Sequence, residues 1–227
     1  MRFRGGASVR FPSEVRFASA LVYSKGGLSS AARTSREVRD RIKRGEPRIL
    51  AAASSRIPTW FAAEVLNEFF GSDVILVPMP GSGVLPEKLP RRIHGFASPL
   101  WVARDLCVAL HACGLGAEVW DGLRRVRAVA KSAFAAPGQR PTVRQHYHSM
   151  TCSPRLFGAR VTIVDDFITK GRTAMAAATH VLEAVSGSEV RVFALVRTMN
   201  LMSDITQLVD PVVGVIRCVD EDAVRVP

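Results

Sequence analysis

Apolar residues along this chain fall into short continuous runs, and several segments between those runs repeat apolar positions at helical spacing. The runs predict strands over residues 17–23, 74–77, 161–164, 190–196 and 212–219, with a shorter one near 118–120. The spacing predicts helices over residues 36–44, 58–70, 98–113 and 173–185. Strands that are apolar on both faces and alternate with helices indicate a mostly parallel sheet with helices on both faces. The sequence therefore predicts an α/β fold whose ligand site lies beyond the carboxyl ends of the strands, at the turns after Val77 and Val164.

Charge divides the chain unevenly. Residues 1–60 carry 13 Lys or Arg against 4 Asp or Glu, which accounts for nine of the net charges in a total of +11. We therefore predict a basic N-terminal extension over residues 1–60 and the α/β domain over residues 61–227. Such an extension suits contact with nucleic acid, an acidic partner or a polyphosphate ligand. The alternative is an arginine-rich face that is simply solvated.

Membrane and metal functions find little support in the sequence. No segment approaches the roughly 20 apolar residues of a membrane helix, and no leader pattern precedes the first strand. We expect a cytoplasmic protein with no membrane contact. The cysteines lie far apart without a CxxC pair, which argues against a zinc site or a disulfide framework and predicts reduced thiols. They are Cys107, Cys113, Cys152 and Cys218.

The segment 161–173 carries the clearest chemical signal. Its buried strand delivers Asp165 and Asp166 to the ligand edge of the sheet, and Gly171 permits a tight turn before the next helix. Backbone N–H groups, two hydroxyls and the positive end of that helix are suited to hold an anion, with two cations at the rim. These loop residues are Thr169, Lys170, Gly171, Arg172 and Thr173. Acceptors for sugar hydroxyls beside donors for a phosphate predict a phosphorylated sugar as ligand.

The acidic pair has two alternative interpretations. The pair could cap a helix or lie in solvent, a structural role that Asp-Asp alone would favour. An apolar strand followed by two acids also occurs in nucleotide hydrolases, but that class needs a GxxxxGK[ST] loop, which this sequence lacks.

The segment 161–173 resembles the motif of type I phosphoribosyltransferases that binds 5-phosphoribosyl-1-pyrophosphate (PRPP). The resemblance implies that Asp165 and Asp166 bind the ribose hydroxyls and that residues 169–173 bind the 5-phosphate. It also implies that Gly81 and Ser82, after the strand ending in Val-Pro-Met-Pro, bind pyrophosphate through their amides. The strings at residues 91–96 and 123–126 are similar to the competence-protein ComF branch, although its CxxC zinc module is missing here.

The resemblance extends to a catalytic loop and a magnesium ion. The Pro- and Gly-containing stretch 131–148 is placed like the family's mobile loop, and Lys131 and Arg140 are its candidate catalytic cations. Mg²⁺ is expected with PRPP, held by PRPP and water, so no protein metal ligand is predicted. Thr169 stands where purine-salvage members place an acid, which argues against purine salvage because Thr is no general base at neutral pH. Dimers are common in the family, and the sequence does not fix the oligomeric state.

Three functions follow as expectations. The first is Mg-dependent transfer of the phosphoribosyl group from PRPP to a nitrogenous acceptor, in nucleotide metabolism. The second is a non-catalytic PRPP-sensing regulator that binds nucleic acid or a protein through its basic N-terminus. The third is an accessory role in DNA uptake, which rests on the ComF likeness alone.

Overall fold

The computed structural model describes residues 9–85, 101–130, 140–154, 160–185, 187–199, 204–220 and 222–227. The strands are β1 (Glu14–Tyr23), β2 (Val74–Pro78), β3 (Glu118–Val119), β4 (Leu123–Arg125), β5 (Met150–Cys152), β6 (Arg160–Ile168), β7 (Glu189–Thr198), β8 (Val209–Val219) and β9 (Asp222–Val226). The helices are α1 (Ser30–Lys43), α2 (Pro47–Trp60), α3 (Ala63–Phe70), α4 (Val102–Ala112), α5 (Val143–His148) and α6 (Arg172–Ala184).

The described strands form a seven-stranded sheet in the order β3-β2-β6-β7-β1-β8-β9, beside a small β4–β5 hairpin. The first five strands of that order are mutually parallel, and β8 and β9 are antiparallel additions. This arrangement confirms the predicted α/β class with a mostly parallel sheet. Among the described residues no helix has both the length and the apolar character to cross a bilayer.

Two hydrophobic layers cover the sheet. Buried residues of α6 and α5 pack on one face with Val161 and Ile163 of β6. Helices α1 to α4 contribute to the other layer, where the rings of Phe70 and Phe193 meet edge to face with centroids 4.9 Å apart. The prediction of helices on both faces is therefore confirmed.

The N-terminal quarter departs from the predicted boundary at residue 60. Strand β1 lies inside the sheet, parallel to β7 on one side and antiparallel to β8 on the other. Its side chains include Phe17, which is fully buried. Residues 1–60 thus do not form a separate unit from 61–227, because the domain's own sheet runs through them. A strand near 17–23 was predicted from its apolar run, but its neighbours in the sheet were not.

Several helix boundaries also differ from prediction. Helix α1 begins at Ser30, where the Ser29 hydroxyl accepts a hydrogen bond from the N–H of Ala32 at 3.0 Å. Pro47, which follows the helix predicted over residues 36–44, occupies the first turn of α2, where a missing N–H costs nothing. Pro58, predicted to begin a helix, lies in the last turn of α2 instead. The stretch 131–148, likened above to a mobile loop, contains the short helix α5 at its end.

Candidate functional site

The site is built at the carboxyl ends of the neighbouring parallel strands β2 and β6. Pro78 of β2 is opposite Val164 of β6, and the N–H of Met79 donates to the carbonyl of Val164 at 2.8 Å. The loop after β2 therefore leaves the sheet beside Val164, but β6 continues through Asp165 and Asp166 to Ile168. The prediction of a turn directly after Val164 is wrong, because β6 stays paired with β7 as far as Ile168 and the turn begins at Thr169.

Asp165 and Asp166 are held close together by the backbone. The N–H of Asp166 donates to Oδ1 of Asp165 at 2.8 Å. Asp165 is only partly exposed, and burial followed by the negative charge of Asp166 raises its pKa well above the ordinary aspartate range. Two adjacent carboxyl groups with little solvent around them are poised to accept hydrogen bonds from hydroxyl groups of a ligand.

Lys43, at the end of α1, contacts this pair and was not predicted as a site residue. Its Nζ lies 2.8 Å from Oδ2 of Asp166 and 4.6 Å from the centre of the Phe167 ring. The side chain of Asp166 is 13% exposed and that of Lys43 is 49% exposed, so the ion pair lies at the mouth of the site. The partners are 123 residues apart, and no local pattern in the sequence signals such a contact.

The predicted phosphate loop has the backbone geometry that the sequence suggested. Gly171 has φ of 95° and caps the N-terminus of α6. A Cβ added there would lie 2.6 Å from Cγ2 of Ile216, so the residue is required to be glycine for both conformation and space. Thr169 and Lys170 are exposed in front of it. The first N–H groups of an α-helix such as α6 have no acceptor within the helix, and such helix ends can bind anions.

The two rim cations of this loop are less available than predicted. Arg172 forms a two-pronged ion pair with Asp222 of β9, with Nη2 2.7 Å from Oδ2, and Lys170 Nζ lies 3.8 Å from the same carboxylate. Arg172 in turn lowers the pKa of Asp222. Much of the positive charge expected at the loop is therefore directed to Asp222, a residue that the sequence did not single out.

The loop after β2 is fixed through its carbonyl groups. The Nε of Arg125 donates to the carbonyl of Gly81 at 2.5 Å, and the N–H of Val129 donates to the carbonyl of Ser82 at 2.9 Å. Within the described ranges, the N–H groups of Gly81 and Ser82 have no acceptor. A loop held by its carbonyls with its amides free is prepared to receive an anion.

Arg125 and His146 form a buried polar cluster between the two loops. Arg125 also donates to the hydroxyl of Ser149, and burial lowers its pKa to about 10. His146 Nε2 lies 3.3 Å from the hydroxyl of Thr173, while its Nδ1 has no partner among the described residues. Burial, followed by the charges of Arg125 and Arg172, lowers the pKa of His146 to about 4, so its ring is neutral at pH 7.

Of the two candidate catalytic cations, the structure describes Arg140 but not Lys131. Arg140 is exposed, and its carbonyl lies 3.5 Å from Nη1 of Arg172, so the chain at residue 140 borders the phosphate loop. Lys131 lies outside the described residues, as does the stretch 91–96. In the described part of the chain, no three His, Cys, Asp or Glu side chains come together as a metal site.

No protein-family model matches this sequence, and no curated protein shows significant similarity to it. The assignment of a function therefore depends on the chemistry of the site alone.

Proposed function

We propose that this chain binds PRPP at the joined ends of β2 and β6 and transfers its phosphoribosyl group to a nitrogenous acceptor. The observation that carries the proposal is the pairing of Asp165 and Asp166 with the loop at Gly171. This arrangement offers acceptors for vicinal hydroxyls beside amide donors for a phosphate. The amides of Gly81 and Ser82, which have no backbone acceptor among the described residues, would supply a second anion position after the adjacent strand β2. A ligand with a sugar between two phosphate groups matches all three parts.

The proposed reaction breaks the bond between C1 of the ribose and the pyrophosphate oxygen and forms a bond from C1 to nitrogen. The pyrophosphate leaves with the electron pair, and the nitrogen loses its proton to solvent. Preorganised amides at Gly81 and Ser82 stabilise the charge that develops on the leaving group. The aspartates orient the ribose, so catalysis comes from positioning and electrostatics. Arg140, whose carbonyl adjoins the loop, would bring a further cation to the leaving group.

Mg²⁺ enters this proposal as part of the substrate, Mg·PRPP. In this proposal the pyrophosphate and water hold the ion, as the resemblance implies. When bound, the ion neutralises charge on that leaving group.

Ligand-induced thermal stabilisation tests the site. With Mg·PRPP at about 100 times its Kd, linkage predicts a gain of about 2.7 kcal/mol. For a protein of this size that gain raises Tm by about 5–11 °C. The double variant Asp165→Asn, Asp166→Asn should show no such rise. Asp73→Asn is the matched control, since Asp73 is an exposed acid paired with Arg160 where β6 begins. A full shift in the double variant would refute the site.

A PRPP-sensing regulator is the second candidate, and the contact between Lys43 and Asp166 favours it. A ligand that engages Asp166 changes the environment of α1, so occupancy of the site is coupled to the basic helix. Two other cations at the end of α1, Arg41 and Arg44, form ion pairs with nearby Glu46 and not with the site. Incubation with Mg·PRPP and a panel of bases and amines separates the candidates. Pyrophosphate release with one acceptor supports the enzyme, whereas PRPP binding without release, together with salt-sensitive retention of DNA or RNA, supports the regulator.

A further inference from the structure

Arg225, in the C-terminal strand β9, reaches the start of the phosphate loop. Its Nη2 donates to the carbonyl of Thr198 at 2.8 Å and its Nη1 donates to the carbonyl of Ile168 at 3.3 Å. Ile168 is the residue immediately before Thr169, the first residue of the loop. The guanidinium group therefore lies at the carboxyl ends of β6 and β7, although its own strand is at the far edge of the sheet.

A second contact places Arg225 beside the same loop independently. Arg225 is opposite Ile216 in the antiparallel β8–β9 pair, so the two side chains leave the sheet on the same face. Ile216 is the residue that a Cβ at Gly171 would strike. Arg225 thus adjoins both the beginning of the loop, through Ile168, and the side chain that packs under Gly171.

The charge of Arg225 lacks the acidic partner that its neighbours have. Arg172 is paired with Asp222, and Arg197 is paired with Asp210. Arg225 is partly buried, and among the described residues no Asp or Glu forms an ion pair with it. Burial, followed by the nearby charge of Arg197, lowers its pKa to about 10, so it remains charged at pH 7.

A partly desolvated guanidinium with no carboxylate is stabilised by any anion that reaches it. Two carbonyl contacts use two of its five N–H donors, and the planar group can offer the others to phosphate oxygens. Lys170 and Arg172 are less suited to this role, because Asp222 already holds them.

We propose that Arg225 is the cation that binds the 5-phosphate of the ligand, from the side opposite the amides of α6. This inference rests on the proposed function for the identity of the ligand. The shared chemistry is a phosphate monoester, which ribose 5-phosphate and PRPP both carry at the same position.

Binding of three probes to four proteins tests the inference. The probes are inorganic phosphate, ribose 5-phosphate and Mg·PRPP, and their Kd values are measured by calorimetry. The proteins are the wild type, Arg225→Met, Arg225→Lys and the control Arg217→Met. The control substitution Arg217→Met also removes one positive charge, but from β8, where the Arg217 side chain is 58% exposed beside Glu14. We expect Arg225→Met to raise the Kd for ribose 5-phosphate at least tenfold and Arg225→Lys to raise it less. Arg217→Met should leave this Kd within twofold of the wild-type value.

A chemical measurement on the wild type covers the case in which Arg225→Met does not fold. Ribose 5-phosphate should protect Arg225, but not Arg217, from an arginine-specific dicarbonyl reagent, as mapped by mass spectrometry. Unchanged ribose 5-phosphate binding in folded Arg225→Met, or the absence of protection, overturns the role of Arg225 and leaves the proposed function standing. Phosphate binding that depends on Arg225, without any preference for PRPP, supports the anion site and refutes the proposed function. If the wild type binds none of the probes, both fall.

Discussion

Replacing Gly171 by Ala tests whether the loop geometry is fixed by the chain itself. The residue has φ of 95°, a region that L-residues rarely adopt, and the new Cβ would lie 2.6 Å from Cγ2 of Ile216. Two further atoms of Ile216 lie at 3.1 Å. Ile216 is fully buried and branched at Cβ, so it cannot swing away.

The expected loss of stability has two parts. Placing an L-residue in the left-handed region costs about 1–2 kcal/mol. Forcing an extra methyl group against a buried side chain costs about 1–3 kcal/mol more. The sum is about 2–5 kcal/mol, which lowers Tm by about 4–20 °C for a chain of this length.

Urea unfolding followed by circular dichroism measures the loss, with Gly114→Ala as the matched control. Gly114 has φ of 79°, and a Cβ there would meet nothing within 4 Å, so it isolates the conformational part at about 1–2 kcal/mol. We expect Gly171→Ala to lose about 1–3 kcal/mol more than the control. It should also lose most of the PRPP-induced rise in Tm. Equal losses of stability in the two variants would refute the idea that Ile216 constrains the loop.

Three further substitutions probe the site. Asp165→Asn should raise Tm at pH 7.5. The pKa of Asp165 is raised in the folded state, so the wild type loses stability as the pH rises above the ordinary value of 3.8, and the variant avoids that loss. The gain in Tm should shrink towards pH 4, and a lower Tm of the variant at pH 7.5 would contradict this reasoning. The pKa of His146 is lowered from 6.5 to about 4 in the folded state. As the pH falls from 6.5 to 4, the wild type should therefore lose about 3 kcal/mol of unfolding free energy relative to His146→Gln. Calorimetric stability profiles that stay parallel over this pH range would contradict the expectation. Lys43→Met should lower the unfolding free energy by about 1 kcal/mol, because it removes the partner of Asp166. A double-mutant cycle with Asp166→Asn should give a coupling energy of similar size. If the two losses add, the ion pair contributes nothing to stability.

The sequence was informative where structure depends on neighbouring residues. The apolar run 161–164, the two acids and Gly171 lie within thirteen positions, and the structure has a strand, a turn and a helix there in the predicted order, although the strand includes both acids and ends at Ile168. Helix α5 was missed, although Thr142 and Gln145 form a capping box that could have revealed it. Pro47 lies in the first turn of α2, where no hydrogen bond is lost, whereas Pro58 removes a donor in the last turn, a placement that local pattern does not favour.

Contacts between distant segments could not be predicted in this way. Arg125 comes from β4 and Asp222 and Arg225 come from β9, and nothing near them in the chain marks their direction. The same limit applies to the order of parallel strands, because pairing depends on crossover connections and not on the composition of each strand. For this reason the central position of β1 was not foreseen.

The position of β1 has a consequence for how the chain acquires its shape during synthesis. Arg16 is opposite Arg191, so the first strand made finds its parallel neighbour only after roughly 175 further residues have been added. At about 5–20 residues per second, that wait lasts on the order of ten to thirty seconds. During that interval an apolar segment with open hydrogen-bonding edges is a target for chaperones. Expression of a fragment that begins at residue 61 would leave the edge of β7 unpaired for good, and aggregation of that fragment is the expected result.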